Sequence, residues 1–301
     1  MVKMIIDVHA HVYSDPKICS LFGTKPFLSA QQQISIMDSK GVDKAVILPL
    51  NNAEAPAEHQ SIGEVLSICE KYPGRFIPFC NIDPRLPARP DLICADMFLK
   101  LLQQYKNLGC KGLGEMACRV FWNDPSLLAL LEACSIVGFP VLFHTTTPDN
   151  NSYGVLDFMN LPYLEFVLKK FPNLKLIGHS QAFWSEISGD LKWEDKNSYP
   201  LGKVMPGGAI IRLLRDYPNL YADISAGSGL NALSRDPEHA WSFIDEFQDR
   251  LLLGMDYCAI DNDMQHIEWL TDAHNRGKIT PSAYNKITSG NASRILNLFS
   301  N

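Results

Sequence analysis

The feature that most constrains the fold is an eightfold alternation along the chain. Eight short apolar runs rich in β-branched residues are each followed by a stretch of helical period, which is typical of parallel strands joined by crossover helices. Eight such units in about 255 residues favour a closed (β/α)8 TIM barrel over an open doubly wound sheet, which commonly has five or six strands. The predicted strands are residues 4–9, 43–48, 75–80, 110–115, 140–144, 174–178, 219–223 and 250–254.

Local signals mark where several predicted helices begin and end. Apolar residues recur at spacings of three and four over 91–107, and Gly109 then ends that helix. Asp124 and Asp236 each precede a proline, so each is predicted to cap a helix N-terminus. The tail 280–298 is predicted to add helices packed outside the barrel.

No linker or full repeat interrupts the chain, so residues 1–301 are predicted to form a single barrel domain. The longest irregular stretch, 184–202, follows the sixth predicted strand. A barrel places such loops over its active face, although a surface excursion is the alternative. The apolar segment 291–299 could form a homodimer contact.

Composition narrows the class of partner. The 301 residues are 46% hydrophobic and 20% charged, with a net charge of −6, so the chain can bury a core and has no basic field for nucleic acid or acidic membranes. The apolar opening ends at Asp7, and no run approaches the ~18 residues of a membrane span. Eight scattered cysteines without a Cys-x-x-Cys pair predict a cytoplasmic protein with reduced thiols.

The strongest functional signal lies at the end of the first predicted strand. His9 and His11 point to the same side of a strand and can reach one metal ion together, although a partly exposed strand end is the alternative. Four further titratable residues also follow predicted strand ends, which converge on one face of a barrel. They are Glu115, His144, His179 and Asp256, whereas His59, His239, His266 and His274 fall in helices or polar connections and are interpreted as surface or packing residues.

Four histidines and two carboxylates match the ligand preferences of zinc, with manganese, nickel or iron as alternatives. A bound divalent ion lowers the pKa of water to about 7 and polarises a carbonyl or phosphoryl oxygen. Asp256 could ligate the ion and also take a proton from the attacking water, while His179 could ligate or protonate the leaving group. The spacing leaves both assignments open. The expected partner is a small-molecule substrate.

These residues resemble the amidohydrolase superfamily of metal-dependent barrels, and most closely its amidohydrolase-related branch. The resemblance runs from the opening His-x-His through Gly254-Met255-Asp256 to the closing segment Gly290-Asn291-Ala292-Ser293-Arg294-Ile295-Leu296. It implies a hydrolase that activates water on one or two divalent ions to cleave a C–O, C–N or P–O bond.

The resemblance also implies a division of the ligands. His9, His11 and Asp256 would bind a first metal, and His144 and His179 a second. Many members bridge the two ions with a carbamylated lysine from the fourth strand. Here that strand ends in Glu115, which looks like the glutamate of TatD-type metal-dependent hydrolases and is the candidate bridge. The alternative for Glu115 is a simple ion pair with Lys111 or Arg119.

Two other functions remain open. The same branch contains mononuclear decarboxylases of aromatic or unsaturated carboxylic acids. In these, residues matching His9, His11, His144 and Asp256 hold one ion, and the residue matching His179 is free for proton transfer. A non-catalytic barrel that merely binds metal is the third possibility, although a barrel of this length has enough core to fold without metal.

Secondary candidates and rejected motifs complete the set. Ser180 lies in a Gly-x-Ser-x-Ala sequence that resembles a nucleophile elbow. It has alanine where the elbow has glycine at the fifth position, and the chain has no oxyanion motif. The dinucleotide fingerprint at 112–117 is rejected, because a polar loop follows where a helix is needed. Arg119 and Trp122 could bind an anionic or flat substrate group, or pack at a helix start. Other strand-end candidates, for substrate binding or for capping, are Asn51, Asn52, Asn81, Asp83, Asp223 and Ser225.

Overall fold

A computed structural model describes residues 4–19, 23–54, 58–87, 91 and 93–298. The strands form a TIM barrel, as the alternation predicts. Each predicted strand is present, with bounds that differ from the prediction by a few residues. The barrel strands are β1 (Ile6–Ala10), β2 (Lys44–Ile47), β3 (Phe76–Pro78), β4 (Leu113–Met116), β5 (Val141–Thr146), β6 (Leu176–His179), β7 (Leu220–Asp223) and β8 (Leu251–Leu252).

Two seams of backbone hydrogen bonds join the strands into a ring. Strands β1 to β3 pair in parallel as one set, and β4 to β8 as another. Between β3 and β4, the amide of Cys80 donates to Gly112 O at 3.0 Å. Between β8 and β1, the amide of Val8 donates to Leu253 O at 2.9 Å. The carboxyl ends of all eight strands therefore share one face.

Helices cover the outside of the ring, and capping residues set several of their bounds. Asp124 accepts a hydrogen bond from Ser126 N and Asp236 one from His239 N, which confirms both predicted caps. The helix predicted over 91–107 begins at Ala95. The longer helices are Ala30–Lys40, Ile62–Lys71, Ala95–Asn107, Pro125–Val137, Pro162–Lys170, Ala209–Asp216, Ala226–Ser234, Pro237–Phe247 and His266–Asn275.

The remaining elements are short. The stretch predicted as irregular, 184–202, contains helical turns at Ser185–Ile187 and Trp193–Asp195, and the helix Gln181–Trp184 precedes it. Residues 1–3 of the opening segment, residue 92 of a predicted helix and residue 299 of the predicted dimer contact lie outside the described residues. The other short elements are strands Val12–Tyr13, Leu28–Ser29 and Val155–Leu156, helices Pro281–Asn285 and Asn291–Ile295, and the π-helical turn Lys286–Gly290.

The C-terminal helix Asn291–Ile295 closes the end of the barrel where the strands begin. Ala292, Ile295 and Leu296 are almost fully buried and belong to the same apolar cluster as Ile6 and Val8 of β1. At these three positions the structure differs from the expectation of an exposed apolar segment at 291–299, because the side chains complete the core.

The register of β1 contains one extra residue opposite β2. Asp7 pairs with Ala45 and Ala10 with Ile47, so three steps on β1 match two on β2. An extra residue of this kind reverses the alternation of side chains beyond it. Strand β4 shows the same irregularity against β5, between Leu113 and Met116.

Within the described residues, no helix is both long enough and apolar enough to cross a bilayer.

Candidate metal centre

The six side chains predicted as ligands come together at the carboxyl face of the barrel. Five of them have side chains no more than 8% exposed, and the side chain of Asp256 is 13% exposed. A partly exposed strand end is therefore excluded for His9 and His11. These six residues are His9, His11, Glu115, His144, His179 and Asp256.

His9 and His11 present the same ring nitrogen to a common point. Their Nε2 atoms lie 3.2 Å apart. His9 Nδ1 is 2.7 Å from Asp223 Oδ2, and His11 Nδ1 is 2.9 Å from Leu48 O. Because an acceptor holds each Nδ1, we assign the ring proton to that nitrogen, and Nε2 of each ring is left as the metal-binding atom.

Asp256 lies against this histidine pair. Its Oδ1 is 3.5 Å from both His9 Nε2 and His11 Nε2. Its Oδ2 is 3.6 Å from His179 Nε2. The donor atoms of His9, His11 and Asp256 all lie within 4.8 Å of one another and could hold one ion.

Glu115 reaches two parts of the cluster with its two oxygens. Oε2 lies 3.4 Å from His11 Nε2, and Oε1 lies 2.9 Å from His144 Nδ1. Glu115 also forms a second candidate group, with His9 and His179, within the same 4.8 Å. The ion pair with Lys111 or Arg119 is not what the structure shows for Glu115.

His144 and His179 differ in their contacts. His144 belongs to neither of the two ligand groups, and its Nδ1 is directed to Glu115. His179 Nδ1 lies 2.9 Å from Ser225 Oγ, so its Nε2 faces Asp256. Ser225 also contacts His9 Nδ1 at 3.2 Å. Asp223 and Ser225, secondary candidates from the sequence, therefore support the histidines from behind.

The electrostatics of the cluster favour a cation at its centre. Burial alone would lower the pKa of His9, but the carboxylates of Asp256, Asp223 and Glu115 raise it to about 10. Burial opposes the charge of Glu115, yet hydrogen bonds with His11 and His144 hold its pKa well below the usual range. Burial and the charge of His9 lower the pKa of His179 to about 4. The carboxylates of Asp256 and Glu115 thus face a buried volume that attracts positive charge, and that of Asp223 lies behind His9.

The donor set fits a divalent ion of the zinc class. Imidazole nitrogens and carboxylate oxygens converge, and hydrogen bonds behind two of the histidines fix which nitrogen is free. A purely structural cluster would have no need of two Nε2 atoms turned towards each other at 3.2 Å.

Other strand-end candidates brace the centre and do not line it. Asn81 Nδ2 donates to Glu115 O at 2.7 Å, and Asn52 Oδ1 accepts from Ala117 N at 2.9 Å. Asp83 pairs with Arg85. Asn51 Oδ1 accepts from Gln60 N at 3.2 Å.

Arg119 and Trp122 do not reach the metal centre. The Arg119 guanidinium donates to Ser152 O and to Pro148 O, so it holds the loop after β5. Trp122 is fully buried and packs edge-on against Phe143. The packing alternative therefore holds for Trp122, and Arg119 is committed to backbone carbonyls.

The structure agrees with rejection of both decoy motifs. The Ser180 hydroxyl donates to Thr145 O at 2.8 Å and accepts from Phe183 N, so it caps a short helix instead of acting as a nucleophile. After 112–117 the chain makes bends and a turn until the helix Pro125–Val137. No helix N-terminus is available there for a pyrophosphate.

Sequence reasoning missed two side chains beside the cluster. The Tyr153 ring lies against His144, with centroids 4.4 Å apart. Cys258 Sγ is 3.4 Å from Asp256 Oδ1. Cys258 follows Asp256 by two residues, a spacing that could have drawn attention to it. Tyr153 comes from a loop whose path a single sequence does not indicate.

Comparison with known families gives one decisive match. A family model described as amidohydrolase matches residues 6–298, nearly the whole chain. The chain belongs to the amidohydrolase family. Among curated proteins, none matches this amidohydrolase sequence.

Several solved structures share the fold of this amidohydrolase. One is a probable 2-pyrone-4,6-dicarboxylic acid hydrolase from Acinetobacter baumannii, 14% identical, with a TM-score of 0.58 over 97% of this chain and 99% of that one. Another is a 5-carboxyvanillate decarboxylase from Sphingomonas paucimobilis, 14% identical, with a TM-score of 0.60 over 98% and 99%. A third is an amidohydrolase from Burkholderia multivorans with bound zinc, 11% identical, with a TM-score of 0.63 over 98% and 99%. At these identities the likeness shows the fold, and each activity belongs to the protein named.

Proposed function

We propose that this amidohydrolase is a metal-dependent hydrolase that cleaves a C–O, C–N or P–O bond of a small-molecule substrate. The observation that carries the proposal is the reach of Glu115. Its two oxygens lie 3.4 Å from His11 Nε2 and 2.9 Å from His144 Nδ1. One carboxylate thus connects the His9–His11 pair to His144, which is the position expected of a bridge between two ions.

The residues present divide between two candidate sites. His9, His11 and Asp256 would hold a first divalent ion, zinc or an ion of similar preference. His144 and His179, with Glu115 shared, would hold a second. When bound, such an ion supplies a Lewis acid and lowers the pKa of water.

The protein's own groups move the protons. Asp256 Oδ2 lies 3.6 Å from His179 Nε2, so a proton accepted by the carboxylate has a histidine beside it. Ser225 holds His179 by its other nitrogen and keeps Nε2 directed to Asp256. Asp256 is therefore the candidate base for water. His179 is the candidate acid for the leaving group in the alternative in which its Nε2 does not ligate the second ion.

The test is elemental analysis of purified protein beside Glu115→Gln, with Glu132→Gln as a control at an exposed helical site. We expect about two ions per chain in the wild type and in the control, and one or none in Glu115→Gln, because the amide cannot supply a bridging anion. Two ions retained in Glu115→Gln would contradict the bridge.

A second candidate, a mononuclear decarboxylase, is favoured by the contacts of His179. Ser225 on one side and Asp256 on the other hold this ring ready to transfer a proton at Nε2 when that nitrogen does not ligate a metal. One ion in both wild type and Glu115→Gln would support this function. Release of CO2 from aromatic or unsaturated carboxylic acids would then be the assay.

A further inference from the structure

A groove on the carboxyl face lies outside the metal centre and has its own chemistry. It has a volume of about 480 Å³ and is lined by Asp149, Asn150, Asn151, Trp193, Glu194 and Asn197. We propose that this groove, here called the Trp193 groove, binds a neutral polyhydroxylated ligand such as a pyranose sugar.

An aromatic stack supplies the flat wall of the Trp193 groove. Phe121 and Phe158 stack with centroids 5.6 Å apart, and Phe158 and Trp193 stack at 6.2 Å with planes 25° apart. Trp193 is still 37% exposed. Phe158 therefore covers one face of the Trp193 indole, and the exposed part of the indole lines the groove. The negative face of such a ring attracts the polarised C–H groups on one side of a pyranose.

The indole is held in place before any ligand arrives. Trp193 Nε1 donates to Asp149 Oδ2 at 2.8 Å. Lys196, three residues after Trp193, is fully buried, and its ammonium group pairs with Glu186 at 2.5 Å. Its backbone oxygen accepts a hydrogen bond from Ser185 Oγ at 2.7 Å. Burying a lysine is costly, and here it anchors the turn that carries Trp193. A fixed aromatic platform loses little entropy on binding.

The polar lining selects the class of ligand. Its members are amides and carboxylates, with no basic side chain among the described lining residues, so an anionic ligand would be repelled. The exposed amide of Asn151 can both donate and accept hydrogen bonds, as hydroxyl groups require, whereas Asn197 is bonded to Thr146 and Thr147. A quaternary ammonium ligand would use the carboxylates but not the amide donors, and it prefers several aromatic faces around it. The lining therefore favours hydroxyl groups.

The Trp193 groove is connected to the metal centre through β5. Thr146 Oγ1 donates to Asn197 Oδ1 at 3.2 Å, and Asn197 Nδ2 donates to Thr147 Oγ1 at 2.7 Å. His144 precedes Thr146 on the same strand, and Thr147 directly follows the strand. A sugar here would be a part of the substrate remote from the bond that is cleaved. That last step rests on the proposed hydrolase function, whereas sugar binding itself does not.

The test is saturation-transfer NMR on the metal-loaded protein with methyl glycosides of glucose, galactose and mannose, whose integrity is read from the same spectra. We expect millimolar binding of at least one glycoside, with saturation strongest on one face of the ring. Trp193→Ala should weaken it at least tenfold. Phe166→Ala, at an aromatic residue 43% exposed on another helix, should leave it unchanged.

Asn151→Ala is a second variant, which removes an exposed amide and leaves the aromatic stack intact. We expect it to lower the affinity for the glycoside by about threefold or more, since one hydrogen bond contributes ~1 kcal/mol. Melting temperatures check that each variant is folded. Binding retained in both Trp193→Ala and Asn151→Ala, or no binding of any glycoside, would overturn the proposal. Preferential binding of tetramethylammonium would assign the groove to cations instead. None of these outcomes depends on hydrolysis, so a failed activity assay is a separate result.

Discussion

Asp223 shows how a residue behind the ligands governs the metal centre. Its Oδ2 accepts from His9 Nδ1 at 2.7 Å and from Ser225 Oγ at the same distance. From the sequence, Asp223 was only a secondary candidate. A carboxylate at a strand end can ligate a metal or hydrogen-bond to a ligand, and its position in the sequence does not distinguish the two roles. The six proposed ligands were all named from the sequence, because strand ends of a barrel converge regardless of loop structure.

Replacement of Asp223 by asparagine should weaken metal binding while the fold remains. The amide still fills the space but no longer offers a charged acceptor to His9 Nδ1, so we expect a 10- to 100-fold loss of affinity, roughly the effect of removing such supporting groups. Competition with a chromophoric chelator measures it. Asp216→Asn, at an exposed carboxylate, is the control. Equal affinities in the two variants would show that Asp223 does not orient His9.

Replacement of Asp256 by asparagine tests its role as a base. We expect the folded structure and the melting temperature to be nearly unchanged, with turnover reduced by at least ~100-fold, because a positioned acid–base group contributes on that scale. The measurement is kcat on the first hydrolysed substrate, together with metal content. Near-normal turnover in a variant that keeps its metal would remove Asp256 from the proton path.

At the scale of elements, strand existence was predictable and strand register was not. Simple alternation places His9 and His11 inside the barrel only if Ile6 and Val8 point outward, yet both apolar residues belong to the interior cluster. The extra residue between Asp7 and Ala10 resolves this conflict, because it lets both sets face inward at different heights. Such a bulge depends on the neighbouring strand. A single sequence therefore does not reveal it.

The loop after β5 contains a carboxyl group whose titration affects folding. Asp157 is fully buried and accepts hydrogen bonds from Phe158 N, Tyr163 N and Leu164 N, at the start of the helix Pro162–Lys170. Despite these bonds, burial raises its pKa from 3.8 to about 6. Between these two values the unfolded chain has released a proton that the folded chain keeps, so the contribution of Asp157 to stability falls as the pH rises.

The predicted outcome is a pH-dependent difference between wild type and Asp157→Asn. From pH 4 to pH 6 the stability of the wild type relative to the variant should fall by about 2 kcal/mol, and above about pH 7 the difference should stay constant, since one pKa unit corresponds to ~1.4 kcal/mol. Urea unfolding at a series of pH values gives both curves. Asp245→Asn, at an exposed position, should run parallel to the wild type. A difference that grows with pH would contradict the raised pKa.

At the scale of the whole molecule, the order of the strands and candidate ligands along the sequence predicts the barrel and its family. It does not predict what closes the end of the barrel where the strands begin. The apolar tail looked like an external addition because a sequence shows which residues are apolar without showing what they cover. In the structure, Asn291 Nδ2 donates to Gln248 O and Leu251 O, at 2.7 and 2.8 Å, and Arg294 reaches Asp249 O. These bonds fix the terminal helix beneath β8.

Truncation of Ile295 should show that this helix belongs to the core. Ile295 is 1% exposed, so Ile295→Ala should lower the free energy of unfolding by about 2–5 kcal/mol through lost burial and a residual cavity. Ile136→Ala, at a position 60% exposed, should change it by no more than about 0.5 kcal/mol. Urea denaturation measures both. A loss in Ile295→Ala as small as that in the control would mean that the terminal helix is dispensable.

The position of that helix also bears on how the protein is made. Strand β1 must wait for β8 to close the ring, and the interior of the ring must wait for residues 292–296, which are synthesised after all eight barrel strands. Contacts between distant parts of a chain form slowly, and the apolar surface left open in the meantime promotes aggregation. A chain that terminates before Asn291 would leave the interior open to water at the end of the barrel where the strands begin. The core is thus complete only after this helix has been made, and products that end before it would expose apolar surface that chaperones and proteases recognise.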